Sequence, residues 1–116
     1  AYPRTAGAAM IYKFKSKATG DTIMVGANGD SLLRTLGREP SGQGIIEPAA
    51  MPAAIAAIEQ AVAADEAARA EAERDAAARG ERLAPREGVA PRQRLWPMVE
   101  MLKRALAANE AIVWGV

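Results

Sequence analysis

The chain has 116 residues, 50% of them hydrophobic and 25% charged, with a formal net charge of +1; that bounds it to one domain with no global field to select a polyanion or a membrane surface. It contains no Cys and no His, which excludes disulfide staples, iron–sulfur clusters, thiolate zinc sites and imidazole general bases. No apolar run reaches the ~18 residues of a membrane span and the opening AYPRTAGAA has no signal-peptide core, so the cytoplasm is the expected compartment and no membrane partner is expected.

Residues 1–9 are small and polar, with Pro3 and Gly7; they read as a disordered lead-in or an appended remnant, and a single domain is expected over residues 10–116. Residues 11–17 alternate. Tyr12, Phe14 and Ser16 point one way and Lys13, Lys15 and Lys17 the other, the pattern of a half-buried strand. A turn at residues 18–21 leads to a second strand at residues 22–25, and the two should pair as a hairpin. The stretch GANGD ends it, with Asn28 or Asp30 available to cap a short helix at residues 31–36 that Gly37 closes. Residues 38–50 hold Pro40, Gly42, Gly44 and Pro48 and read as a loop, with Ile45 and Ile46 tucked against the core.

Met51, Ile55, Ile58 and Val62 then recur at helical spacing. The apolar stripe stops at Asp65, where the positions in phase become Asp65, Arg69, Ala72 and Ala76, while Ala, Glu and Arg keep helix propensity high through Arg79. The pairs Asp65 with Arg69 and Asp75 with Arg79 suit i,i+4 ion pairing. A continuous helix over residues 51–79 spans roughly 43 Å at ~1.5 Å per residue, longer than the ~30 Å width of a compact domain of this size. Its second half must protrude, find a partner or fray. Residues 80–91 read as a second loop. Leu95, Val99, Leu102 and Leu106 mark a last helix, in which Pro97 implies either a start near Trp96 or a kink. Asn109 can end that helix, and Ile112, Trp114 and Val116 alternate as a C-terminal strand.

The expected fold is α+β: one small three-stranded sheet, the N-terminal hairpin plus the C-terminal strand, covered on one face by helices, with one long, partly solvated helix. The stretches MIYKFKSKATGDTIMVGANGDSLLRTLG, GIIEPAAMPAAIAAIEQAV and RQRLWPMVEMLKRALAANEAIVWGV resemble a proteobacterial family of uncharacterised proteins, the one labelled domain of unknown function 1840. The resemblance covers most of residues 10–116. It implies a bacterial origin and a natural start at Met10, and it brings no activity, substrate or site.

No stretch carries a catalytic signature. GANGD and SGQG fit neither a dinucleotide fingerprint nor a P-loop, and GANGD is expected as a strand-to-helix turn with a cap. Glu66, Glu71, Glu73 and Asp75 alternate with arginines on a helix without an apolar face, as a solvated helix does. Ser16, Ser31 and Ser41 have no His to activate them. No catalytic, metal or cofactor residue is named, and no enzyme is expected. Trp96 and Trp114 are expected in the core. Two surfaces remain. Lys13, Lys15 and Lys17, with Arg92 and Arg94, could contact an anion or a nucleic acid, although the aromatic rings needed for stacking lie on the opposite strand face. Ala64, Ala68, Ala72 and Ala76 could admit a partner helix. The expectation is a non-enzymatic interaction module that forms a homodimer, with an unidentified protein partner also open and an accessory nucleic-acid binder as the alternative.

Overall fold

Alternation governs the N-terminal end of the computed structural model, which describes residues 11–86 and 88–115. In β1 (Ile11–Phe14) Tyr12 and Phe14 are buried, while Ile11 and Lys13 face out. β2 (Thr22–Val25) pairs with it antiparallel, Ile11 opposite Val25 and Lys13 opposite Ile23. The hairpin expected from the sequence is therefore present. The expectations for residues 1–9 and for a start at Met10 lie outside the described residues.

α1 (Gly26–Thr35) begins five residues earlier than its apolar pattern suggests, so GANGD is its first turn and not a capping loop. Two glycines in that turn disguise it, since Gly lowers helix propensity. Gly29 is there for space: a Cβ at this position would lie 2.0 Å from Cδ2 of Tyr12. Gly37, at φ 80°, ends the helix as expected, with the Arg38 amide donating to the Leu33 carbonyl at 2.8 Å.

The single three-stranded sheet is corrected to two two-stranded antiparallel sheets. β3 (Gly44–Ile46) arises inside the presumed loop and pairs with β4 (Ile112–Trp114), Ile45 opposite Val113 and Ile46 opposite Ile112. Three residues between Gly42 and Pro48 are too few for alternation to register. Gly44 is required opposite Trp114, because a Cβ would sit 2.3 Å from the indole. One bridge joins the sheets: Lys15 and Val113 exchange both backbone hydrogen bonds at 2.8 Å.

A 3-10 turn (Pro48–Ala50) leads into α2 (Met51–Ala78), and α3 (Pro91–Ala107) packs against it. Met51, Ala54, Ile58 and Val62 of α2 meet Leu95, Met98, Val99 and Leu102 of α3 over Phe14, Leu32, Leu33, Ile46, Ile112 and Trp114. α3 starts at Pro91 and carries Pro97 inside it, in place of a start near Trp96. Pro97 is exposed, so its ring and its missing N–H fall on the solvent side. Asn109, at φ 58°, ends α3 in the left-handed conformation foreseen for it.

α2 remains one helix to Ala78, and its outer half does not stand bare. Gly80, at φ 71°, reverses the chain, with the Glu81 amide donating to the Ala76 carbonyl at 2.8 Å. The following segment runs back along α2 as a strap. Nη2 of Arg69 donates to the Ala84 carbonyl at 2.6 Å, and Nη2 of Arg86 reaches Oδ2 of Asp65 at 2.8 Å. The expected i,i+4 pairs are replaced accordingly: Asp65 takes Arg86, and Arg79 takes Glu81 at 3.0 Å.

Candidate functional site

The helix layer carries an exposed aromatic residue beside an apolar groove. Trp96 lies one residue beyond Leu95, about 100° round the helix from the buried stripe, and is 48% exposed. The core position expected for it is thereby corrected; Trp114, 2% exposed, does hold one. Beside Trp96, between α2 and α3, runs a groove of about 220 Å³ whose floor is Ile58, Val62, Leu95 and Val99 and whose rim is Glu59, Arg92 and Trp96. Lys103 stands over the indole, its Nζ 5.7 Å from the ring centroid. Arg92 is held by a two-pronged pair with Glu66, Nε to Oε2 at 2.8 Å and Nη2 to Oε1 at 2.9 Å. That hydrogen-bonded pairing keeps the Glu66 carboxyl below its ordinary range and raises Arg92.

The basic residues named from the sequence separate into two layers. Lys13 is exposed and Lys15 half-buried on the outer side of the sheets, away from Tyr12 and Phe14, while Lys17 is exposed in the turn that follows. Lys13 lies 3.7 Å from Asp21. Arg92 and Arg94 sit instead in the first turn of α3, where Arg92 is engaged by Glu66 and Arg94 donates to the Val89 carbonyl at 3.4 Å.

The alanine stripe also divides. Steps of four residues overshoot a 3.6-residue turn by about 40° each, so the line winds round α2. Ala64 and Ala68 are exposed, Ala72 is half-buried, and Ala76 is enclosed at 3%. Ala76 is thus not open to a partner helix.

One buried polar pair has no counterpart in the sequence reading. The Tyr12 hydroxyl donates to Oδ1 of Asp30, and both residues are buried. Burial first, then the hydrogen bond to Asp30 and its negative charge, push the Tyr12 hydroxyl from 10.0 up to about 12. The phenol is therefore held protonated, a donor fixing β1 to α1. Asp30 was legible as a polar residue before an apolar run, but a cap and a long-range acceptor have the same local signature.

Among the described residues no cluster of three or more Asp or Glu is placed to hold a metal ion, and no helix is long and apolar enough to cross a membrane. No curated protein and no solved structure matches the chain. Residues 10–114 match a family model, and by that match over nearly its whole length the chain belongs to the family described as domain of unknown function (DUF1840).

Proposed function

We propose that this chain is a non-enzymatic cytoplasmic interaction module that works as a homodimer, anchored by Trp96. The observation that carries the reading is the indole, 48% exposed, standing beside a groove of about 220 Å³ floored by four aliphatic side chains. Each copy then presents a knob and a hole on the same surface, the self-complementarity that a two-fold interface requires. Large aromatic anchors in such pockets dominate association energies. The rim carries both signs, Glu59 and Arg92, so a two-fold arrangement can set opposite charges across the axis. Ala64 and Ala68 lie on the far side of α2 by helical phase, which favours Trp96 over the alanine stripe as the anchor.

Size-exclusion chromatography with light scattering tests the reading. At about 10 µM, a concentration that populates a micromolar dimer, the wild-type chain runs at twice its 12.2 kDa mass and Trp96→Ala runs as a monomer. A monomeric wild type at that concentration removes the proposal.

A further inference from the structure

Among the described residues, a second surface, on the opposite side of the molecule from the helices, is exposed. Register places Ile11 beside Val25, Lys13 beside Ile23, Lys15 beside Val113, and Val113 beside Ile45, and directly opposed residues share a face. That face exposes Ile23 at 62%, Ile11 at 61%, Val25 at 57% and Ile45 at 42%. Two of the chain's four lysines, Lys13 and Lys15, are interleaved with these aliphatic side chains, and a third, Lys17, is exposed in the turn after β1, lining a hollow with Lys15 and Val113. Nearby acids are Asp21, 3.7 Å from Lys13, and Glu110, beside the hollow that Lys15 and Lys17 line. An exposed pair such as Lys13 with Asp21 is weak and opens readily.

We infer that this outer face docks on an anionic membrane interface, with the isoleucines and Val25 entering the boundary between headgroups and acyl chains and the lysines meeting lipid phosphates. The chemistry of the face selects this occupant. A second copy laid on the same face by a two-fold axis sets basic strand against basic strand, which like charges oppose. Single-stranded nucleic acid needs flat rings for base stacking, but Tyr12 and Phe14 point inward and are buried. Aliphatic side chains beside long cationic ones suit the lipid interface, where lysine stems snorkel to the headgroups. The surface potential of anionic lipid acts within a Debye length, so it senses these lysines and not the net charge of +1.

Co-sedimentation of the full chain with vesicles tests the inference. Binding is expected to vesicles containing about one third phosphatidylglycerol and not to pure phosphatidylcholine. Lys13→Glu with Lys15→Glu lowers that binding by about tenfold or more. Ile23→Glu and, on the other sheet, Ile45→Ser weaken it too; none of the four positions belongs to the buried core. Trp96→Ala keeps the preference for anionic vesicles, so failure of the dimer and failure of membrane docking are read separately. Absence of binding, equal binding to neutral vesicles, undiminished binding by the variants, or a gel shift of single-stranded RNA in place of vesicle binding would each overturn the inference.

Discussion

Tyr12 shows how much one residue in a short strand can be made to do. Its ring stacks 5.8 Å from Phe14, presses on the bare backbone at Gly29, and ends in a hydroxyl bonded to buried Asp30. The period-two alternation made its inward direction legible. The partner, 18 residues away on a helix, was not, because a long-range hydrogen bond leaves no periodic trace. Trp96 shows the reverse error: it sits next to the apolar stripe of α3, and a step of about 100° is enough to turn a presumed core residue outward. The Tyr12 pair has a pH consequence with a definite sign. Its folded-state value of about 12 lies above the ordinary 10.0, so the protonated phenol stabilises the fold fully below pH 10, and that contribution is lost as pH rises through 12. On the order of 2–3 kcal/mol is at stake at ~1.36 kcal/mol per pH unit. Denaturant titrations should therefore show stability falling between pH 10 and 12 in the wild type. Tyr12→Phe should be less stable at neutral pH, having left Asp30 without its donor, and should lack this alkaline step. An unchanged alkaline step in the variant would assign it to another group.

At the scale of elements, the long helix α2 was legible in kind and extent but not in its surroundings. Alanine, glutamate and arginine sustain the helix after the apolar stripe ends, and Glu73 is exposed as that composition implies. What propensity cannot convey is that the loop turns at Gly80 and covers one face through polar contacts. Arg69 with Ala84, Asp65 with Arg86 and Glu66 with Arg92 form successive rungs at separations of 15, 21 and 26 residues. A strap held by exposed ion pairs and single hydrogen bonds opens far more easily than the core. Arg69→Ala removes the rung nearest the turn. It should speed tryptic cleavage after Arg82 and Arg86 several-fold while leaving the cooperative thermal transition nearly unmoved. A large fall in the transition, or no change in cleavage, would mean that the strap is not an independent unit.

At the scale of the whole molecule, the α+β class and the helix-covered sheet face followed from alternation at residues 11–25 and from the stripes of α2 and α3. The division into two sheets did not, because it depends on β3, a three-residue strand whose pairing with β4 sets the bare backbone of Gly44 under Trp114. The resulting layering puts the Trp96 groove on the helix side and the lysine–aliphatic face on the strand side, so the two can be occupied at once. The proposed dimerisation through the groove would make stability depend on concentration, since a partner that binds only the folded chain stabilises it by mass action. A tenfold rise in chain concentration adds ~1.4 kcal/mol per dimer, or ~0.7 kcal/mol per chain. For a domain of this size that corresponds to about 3–5 °C in Tm. Thermal unfolding followed by circular dichroism at a series of concentrations should show this climb for the wild type and a flat Tm for Trp96→Ala. Because the vesicle face lies on the other layer, Lys13→Glu with Lys15→Glu should climb like the wild type. A flat wild-type Tm would mean that the folded chain does not associate over that concentration range and that Trp96 stays open.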